Sequence, residues 1–162
     1  YEGTFPLSPT QLDRFMCKLN LNYPNKDNEV LVLKTKINPE TNFSPVVSKS
    51  ALNQAKTLIN NVAVSDDITD IITKIVRNTR EMKSITLGAS PTATVSLLSA
   101  ARGYAAVVHG RDHVTKDDIK DISFDVLNHR LIIPQTDMSS NEQINSDEQK
   151  KELLEQIIVK FE

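Results

Sequence analysis

The sequence is poor in the residues that disulfide-stapled, turn-rich and membrane-spanning proteins need. It contains one cysteine, Cys17, so no disulfide can form within the chain. Only four glycines, no tryptophan and 5% aromatic residues favour a helical chain with an aliphatic core. Cys17 follows Phe15 and Met16, and this apolar setting favours a buried thiol. No apolar run approaches the ~20 residues of a membrane-spanning helix, so we expect no membrane span.

The charge balance argues against a second group of functions. The formal net charge is -2, and charged residues make up 25% of the chain. General nucleic-acid binding relies on clustered lysines and arginines that displace counterions from phosphates, and this balance gives it no support. The remaining expectation is a soluble cytoplasmic protein.

Apolar residues recur with helical spacing in five segments. The clearest stripe is Ile68, Ile71, Ile72, Ile75 and Val76. Serine or threonine stands before three of the segments as a predicted N-cap, at Ser65, Ser90 and Thr115. Ser146 to Gln149 matches a capping box before the last one. The predicted helices span about Ser48–Asn60, Asp66–Arg80, Pro91 to just before Gly110, Thr115–Leu127 and Asp147–Phe161.

The rest of the chain is predicted as shorter elements and loops. A short helix is expected around Asp27–Lys34, and two polar loops are expected at 35–44 and 134–145. Extended pieces are expected at 15–21, 62–64 and 130–133. We therefore predict a helical bundle from about residue 46 to 133, closed by the terminal helix, after a first unit with no obvious core of its own.

Complete catalytic motifs are missing from the sequence. It has no G-x-x-x-x-G-K-[ST] phosphate loop, no G-x-G-x-x-G and no G-x-S-x-G. His109 and His113 have i, i+4 spacing, but Gly110 should end the helix between them, and neither a cysteine nor a nearby third histidine joins them. We therefore predict no metal site and interpret the histidines, including His129, as surface or packing residues.

Several short motifs occur together, in an order and at a spacing that one family shares. Near the start are Glu2-Gly3-Thr4-Phe5-Pro6-Leu7, Gln11-Leu12-Asp13-Arg14-Phe15 and Tyr23-Pro24. Further along are Thr79-Arg80, Leu87-Gly88-Ala89-Ser90-Pro91, Gly110-Arg111-Asp112-His113-Val114-Thr115, Asp118-Ile119 and Val126-Leu127-Asn128-His129-Arg130. This set resembles the end of the AAA+ core and the helical lid of MoxR-type ATPases, and it spans essentially the whole chain.

The resemblance implies a fold and a division of the chain. The implied fold is mainly α: a lid-like helical bundle preceded by a remnant of the α/β AAA+ core. Residues 1–34 would be the core remnant, 35–45 a linker and 46–162 the lid with its C-terminal helix. The chain would be the C-terminal part of such an ATPase, beginning just past the sensor-1 strand.

Arg14 is the residue to which the resemblance gives a catalytic role. In this family the arginine of L-D-R-F resembles an arginine finger, which enters the nucleotide site of the neighbouring subunit and offsets charge on the γ-phosphate. Arginine suits this task because its planar, permanently charged fork can contact phosphate with two N–H groups. From the residues alone, Arg14 could instead pair with Asp13 or with another exposed acid.

The lid of this family usually supplies a second arginine, sensor 2, directly after G-A-S-P. Thr92 stands at that position here, and a short neutral hydroxyl cannot replace a guanidinium. Arg102 lies about three helical turns further on and is too distant, while Arg80 could approach from the preceding helix. The resemblance leaves Ser90 and Thr92 as candidate nucleotide neighbours, aided by free backbone N–H groups at 88–91 where an anion could bind.

The other family-like residues have structural interpretations. Arg111 and Asp112 are expected to tie the turn between two helices, and His129 and Arg130 to end the third helix and brace the lid.

The resemblance also implies cofactors and partners for the full-length protein. These are ATP and Mg²⁺, the neighbouring subunits of a homo-oligomeric ring and an unidentified client protein that is remodelled or matured. The chain lacks the phosphate loop and the Mg²⁺-binding acids, so alone it should bind no nucleotide tightly and hydrolyse none.

Two other hypotheses remain open. The chain could be a stand-alone helical interaction module whose last helix, Gln149–Phe161, docks on a partner. It could also be a helix-turn-helix nucleic-acid binder, although four acids on the would-be recognition helix oppose this because they would face phosphates.

Overall fold

The computed structural model describes residues 5–37, 44–134 and 142–161. Within these ranges the chain forms seven α-helices and two short 3-10 turns. The helices are α1 (Pro9–Leu12), α2 (Lys26–Ile37), α3 (Lys49–Asn60), α4 (Asp66–Glu81), α5 (Pro91–Val107), α6 (Lys116–Leu127) and α7 (Glu142–Ile158). The 3-10 turns are Asn128–Arg130 after α6 and Val159–Phe161 after α7. None of these helices is long and apolar enough to cross a membrane.

The predicted capping residues begin the central helices. The Ser65 hydroxyl accepts the N–H of Ile68 at 3.3 Å at the start of α4. Before α6, the N–H of Thr115 donates to the Asp118 carboxylate at 2.8 Å, so aspartate completes a capping box that more often contains glutamate. After α5, Gly110 adopts a positive φ of 61°, which explains why the helix stops before it.

The core lies between α4, α5, α6 and α7. Each of these helices turns an aliphatic stripe inward, as the helical spacing predicts. The most completely buried large side chains include Ile72, Ile75, Leu97, Ile119, Leu127, Leu131, Leu154 and Ile157. The described residues form no multi-residue strand, so the expectation of a mainly α helical bundle is confirmed.

The terminal helix begins earlier than predicted. α7 already starts at Glu142, so Ser146 lies inside the helix and the predicted capping box at Ser146–Gln149 is wrong. Glutamate and glutamine are good helix formers, and the helix continues through them to an earlier start. Its apolar face, including Leu154 and Ile157, is buried against α4 and α6 of this chain.

The extended pieces pair only as isolated bridges. Ala63 bridges His113 in parallel, and Leu87 bridges Ile132 in antiparallel orientation. Residues 15–21 form a bend and irregular backbone, and Arg130 belongs to a 3-10 turn. These short contacts tie the loops between helices together without forming a sheet.

The first helices lie outside the core. The described side chains of α2 are exposed, and α3 has no buried residue, so the described part of the chain leaves most of the predicted apolar stripe of α3 exposed. Cys17 is also exposed, which corrects the expectation of a buried thiol. It lies in the irregular segment after α1, where the aliphatic core of the bundle does not reach.

Some predicted features lie outside the described residues, and one helix boundary differs from its prediction. Residues 1–4 of the first motif and most of the two polar loops lie outside the described residues. α2 ends at Ile37, three residues past the predicted boundary at 34, and the division into core remnant, linker and lid stays a prediction.

Candidate functional site

Arg14 lies in the turn that follows α1. Ser8 caps this short helix: its N–H donates to the Gln11 side-chain oxygen at 2.9 Å, and its hydroxyl accepts the Gln11 N–H at 3.4 Å. The Arg14 N–H then donates to the Gln11 carbonyl at 3.3 Å and continues the turn. The Arg14 side chain is exposed and has no hydrogen bond or ion pair with another described residue. Its guanidinium can therefore bind a group outside this part of the chain.

The carboxylate beside it, Asp13, contacts the helical bundle. Its Oδ1 accepts from Nε of Arg130 at 2.9 Å, and its Oδ2 accepts from the Ser90 hydroxyl at 2.7 Å. Arg130 and Ser90 thus occupy both carboxylate oxygens. The alternative in which Arg14 pairs with Asp13 is wrong.

Arg130 connects this segment to the bundle, and all three nitrogens of its guanidinium donate hydrogen bonds. Only 1% of its side chain is exposed. Besides Asp13 Oδ1, its N–H groups donate to the carbonyl oxygens of Asp13 (3.0 Å), Phe15 (2.7 Å), Met16 (3.1 Å) and Val126, and to the Ser96 hydroxyl (3.0 Å). A buried charge is tolerated when it is paired and its donors are satisfied. Arg130 meets both conditions.

Residues 18–20 continue the attachment across the bundle. The N–H of Lys18 donates to the carbonyl oxygen of Asp125 in α6 at 2.9 Å. On α7, Asp147 accepts from the Asn20 amide at 3.0 Å and forms an ion pair with Lys18 at 3.6 Å. The segment from Asp13 to Asn20 therefore contacts α5, α6, α7 and the 3-10 turn after α6.

His129 adds a contact at the centre of this attachment. Burial lowers its pKa below the usual range, and the charge of Arg130 acts in the same direction, whereas the bond to Phe15 opposes them. The imidazole is therefore neutral at pH 7. Nε2 lies 3.0 Å from the Phe15 carbonyl oxygen, which can only accept, so we place the proton on Nε2.

The turn between α4 and α5 sets the position of Ser90. The buried Thr79 hydroxyl donates to the Val76 carbonyl at 2.6 Å and accepts the Ala89 N–H at 3.0 Å. Gly88 packs directly on the end of α4, since a Cβ built there would lie 2.6 Å from the Thr79 carbonyl oxygen. These contacts explain why threonine and glycine occupy these two motif positions.

The start of α5 offers fewer free donors than predicted. The N–H of Ala89 is bonded to Thr79, and Pro91 has none. The Ser90 hydroxyl accepts the Thr92 N–H at 3.2 Å while it donates to Asp13. The expectation of free backbone N–H groups at 88–91 is therefore wrong for two of the four positions.

The side chains around that helix start differ in what they can still bind. Thr92 is exposed and neutral, and Ser90 is already bonded to Asp13. Arg80 is exposed, and its Cγ lies against Gly88. Both arginines considered from the sequence as phosphate contacts near this helix start, Arg14 and Arg80, are exposed.

The second predicted arginine pair stabilises the bundle itself. Arg111 donates to both carboxylate oxygens of Asp118, at 2.9 and 2.6 Å, and to the Thr115 hydroxyl at 3.1 Å. Asp112 instead accepts from His113 at 3.0 Å. The expectation that Arg111 ties the turn is confirmed, with Asp118 as its partner.

His109 and His113 have the surface or packing roles that the sequence suggested. His109 packs edge-on against Tyr104 and lies 3.8 Å from the Asp118 carboxylate, while His113 contacts Asp112. Among the described residues, no three histidine, cysteine or acidic side chains are grouped as a metal site would require.

The sequence reasoning missed where Arg130 acts. It placed this residue as a brace of the lid, whereas most of its contacts reach the segment that carries Arg14. A charge pair whose members lie 117 positions apart leaves no mark in local periodicity. The one available signal for this pair was that Asp13 and Arg130 both belong to the family motifs.

Comparison with known proteins places this geometry in a family. The AAA lid domain model matches residues 77–155. The chain is 39% identical over 135 residues to the uncharacterized protein YeaC of Bacillus subtilis, and 32% identical over 143 residues to the chaperone MoxR1 of Mycobacterium tuberculosis. Each alignment covers 82% of this chain, but only 42% and 37% of the respective relative.

A solved structure has the same fold. The crystal structure of a candidate ATPase from Cytophaga hutchinsonii superimposes with a TM-score of 0.77 at 29% sequence identity. The superposition covers 97% of this chain and 49% of that one.

These findings define the helical bundle as an AAA lid domain. The chain belongs to the MoxR-type AAA+ ATPases, and the family resemblance read from its motifs is confirmed. It spans about two fifths of the length of the curated relatives it matches.

Proposed function

We propose that this chain is the lid-bearing part of a MoxR-type ATPase that couples ATP hydrolysis to the remodelling or maturation of partner proteins. The family match and the name of the relative MoxR1, a chaperone, support the chaperone-like role. In this proposal Arg14 is an arginine finger that acts on nucleotide held by the neighbouring subunit of a cytoplasmic homo-oligomeric ring.

One observation carries the proposal: Arg14 is presented without a partner by a segment that is otherwise tightly attached. Asp13 and Phe15, on either side of it, are bonded to Arg130, whereas the Arg14 side chain is exposed and unpaired within the described ranges. An arginine held ready for a phosphate needs both a fixed backbone and a free guanidinium.

The candidate site residues differ in how well they suit ATP and Mg²⁺. In the full-length protein Mg²⁺ would supply charge neutralisation at the phosphates, and no described residue of this chain is grouped to hold it. The free guanidinium of Arg14 suits a phosphate, but Thr92 brings no charge and the Ser90 hydroxyl is committed to Asp13. We therefore propose that Ser90 and Thr92 lie beside the nucleotide of their own subunit without holding its phosphates.

Apolar exposure in the first unit agrees with a larger assembly. Phe5, Leu21 and Tyr23 each expose more than nine tenths of their surface: 93%, 97% and 97%. Such side chains usually pack against another surface, and in this proposal that surface is the nucleotide-binding core.

Arg14→Ala in the full-length protein tests the finger. We expect kcat for ATP hydrolysis to fall by about 10³-fold or more, the range known for arginine fingers. Nucleotide affinity should change little, because Arg14 does not belong to the binding pocket of its own subunit. Arg77→Ala is the matched control, since Arg77 is also exposed but lies on α4.

Mixed rings test whether the finger acts in trans. A second variant that lacks the phosphate-loop lysine has no working pocket but keeps its own Arg14. When it is mixed with Arg14→Ala subunits, hydrolysis should recover, because each intact pocket can then receive an intact finger. Unchanged kcat in Arg14→Ala, lost nucleotide binding or no recovery in mixed rings would each count against the assignment.

The alternative, a stand-alone interaction module without nucleotide chemistry, named the last helix as its docking element. The apolar side chains Leu154 and Ile157 of that helix are buried within the bundle, which counts against this docking.

A further inference from the structure

We propose that Arg130 is a positioning residue for Arg14, and that Asp13 and Ser90 link this positioning to the start of α5. The inference rests on the proposed function for its catalytic consequence, but its structural content can be tested separately.

The contacts of Arg130 enclose the backbone of Arg14 from both sides. One nitrogen, Nη2, donates to the carbonyl oxygen of Asp13 at 3.0 Å and to that of Phe15 at 2.7 Å. These residues directly precede and follow Arg14. A rigid planar donor that bonds to both carbonyls fixes the Asp13–Arg14 peptide group and the Phe15–Met16 peptide group, and it thereby restricts the backbone on both sides of Arg14.

The segment has little else to hold its shape. α1 is four residues long and buries none of them. A single helical turn is unfavourable by itself, because it fixes several dihedral angles for one hydrogen bond. The fixed conformation around Arg14 must therefore come from the bundle, and Arg130 supplies more of these contacts than any other described side chain.

Asp13 joins the same segment to α5. Its carboxylate bridges the Arg130 guanidinium and the hydroxyl of Ser90, the N-cap of α5. Thr92, where the family carries its nucleotide-sensing arginine, lies two residues beyond Ser90. A displacement of α5 would thus be transmitted through one hydrogen bond and one ion pair to the backbone of Arg14.

This arrangement gives the lid a way to influence the neighbouring subunit. Movement of the bundle in one subunit would carry Arg14 with it, towards or away from the next nucleotide. The loss of the family arginine at position 92 leaves this mechanical link in place, because the link uses Ser90 and Asp13.

Arg130→Lys is the central test, with Arg111→Lys as the matched control. Lysine keeps the charge but cannot bond several carbonyls in one plane. Arg111 also forms a bidentate carboxylate pair, but its contacts are His113, Thr115 and Asp118, and none of these belongs to the segment that carries Arg14.

Hydrogen exchange on the chain gives the structural readout. The N–H groups of Arg14, Phe15 and Lys18 report on the attached segment, since each is hydrogen-bonded. We expect Arg130→Lys to raise their exchange rates by about tenfold or more while α4 stays protected. Arg111→Lys should leave these three amides unchanged.

Hydrolysis by the full-length protein gives the functional readout. In Arg130→Lys, kcat should fall by about a hundredfold, as expected when a catalytic group is misplaced by about an ångström, with KM for ATP nearly unchanged. Ser90→Ala, which removes the bond to Asp13 together with the side-chain cap of α5, should lower kcat less and leave the bundle folded.

The outcomes separate the two proposals. Unchanged exchange at Arg14 and Phe15 in Arg130→Lys would overturn the positioning role, whatever happens to activity. Faster exchange with wild-type kcat would overturn it as well, provided that Arg14→Ala is impaired. Wild-type activity of Arg14→Ala would instead reject the finger, and the exchange data would still decide whether Arg130 fixes this backbone.

Discussion

Two arginine–aspartate pairs organise the molecule, and they differ in what they connect. Arg130 and Asp13 join residues 117 positions apart and attach the first segment to the bundle. Arg111 and Asp118 lie seven positions apart and close the turn before α6. The first pair positions a proposed functional residue, whereas the second one stabilises the scaffold.

The ionisation of Asp118 follows from its surroundings. Burial of its carboxyl favours the neutral form, but hydrogen bonds from Arg111 and Thr115 and the Arg111 charge outweigh this, so its pKa is lowered below 3.8. A carboxyl whose pKa is depressed by folding stabilises the folded state above its unfolded pKa. This contribution is lost as the pH falls through the folded value.

Acid should therefore weaken the fold partly through Asp118. Between about pH 5 and pH 3 we expect the free energy of unfolding, from urea titrations, to fall more steeply for the wild type than for Asp118→Asn. His109 faces the Asp118 carboxylate at 3.8 Å and is present in both proteins.

An exposed acid provides the control for this slope. Asp112 also has a lowered pKa, chiefly through its hydrogen bond with His113, but its side chain is fully exposed. Asp112→Asn should therefore change the slope less than Asp118→Asn does. Equal slopes for the wild type and Asp118→Asn would show that the Arg111 pair does not couple to folding.

At single positions, motif-based reasoning identified residues but not their partners. It singled out Arg14 and Arg111 because the spacing of family motifs is visible in the sequence, and the role of Arg14 stays a prediction. It placed Cys17 in a core, because an apolar stretch does not show whether the core reaches it. The contacts of Arg130 could not be predicted, since they join segments that only the fold brings together.

At the level of elements, helices with local start and stop signals were predicted within about a residue. α4 was expected at Asp66–Arg80 and ends at Glu81, and α5 begins at Pro91 as predicted. α7 was predicted less well, because Ser146 to Gln149 match a capping box in sequence although the helix already begins at Glu142. The apolar stripe of α3 was recognised, but periodicity alone could not show that the described part of the chain leaves most of it exposed.

Gly88, in the turn between α4 and α5, and Gly103, inside α5, should respond oppositely to alanine. At Gly88 a Cβ would meet the backbone atoms of Thr79 and Arg80 at 2.6 and 2.7 Å, and backbone cannot move aside cheaply. We expect Gly88→Ala to lower the free energy of unfolding by about 1–3 kcal/mol. Gly103 lies inside α5, and a Cβ added there would meet no neighbouring side chain or other element within 4 Å. Gly103→Ala should therefore raise the free energy of unfolding by about 0.5–1 kcal/mol.

Chemical denaturation of both variants checks this pair. The m-value should stay constant, so that shifts in the midpoint report stability alone. A neutral Gly88→Ala would mean that the turn between α4 and α5 relaxes around the added methyl group. The close packing at Thr79 would then not explain why glycine occupies this motif position.

At the scale of the whole molecule, burial is concentrated in one half of the chain. α4 to α7 contribute most of the core, while α2 and α3 have no buried residue among their described side chains. The segment from Asp13 to Asn20 lies between these extremes, because polar contacts attach it to the bundle without burying apolar side chains.

Hydrogen exchange on the 162-residue chain should therefore show three levels of protection. The amides of α4 to α6 should exchange only through global unfolding, and the bonded amides of residues 14–18 through local release of the Arg130 contacts. α2 should exchange fastest, because a twelve-residue helix without tertiary packing is marginal in water.

The same measurement on the full-length protein extends the argument to the proposed assembly. If the exposed apolar side chains near Phe5 and Tyr23 pack on a nucleotide-binding core, protection should rise in residues 5–37 and stay constant in α4 to α6. Equal protection of α2 in the isolated chain and in the full-length protein would mean that the core does not cover it. The attachment through Arg130 would then be the main connection between the lid and the segment that presents Arg14.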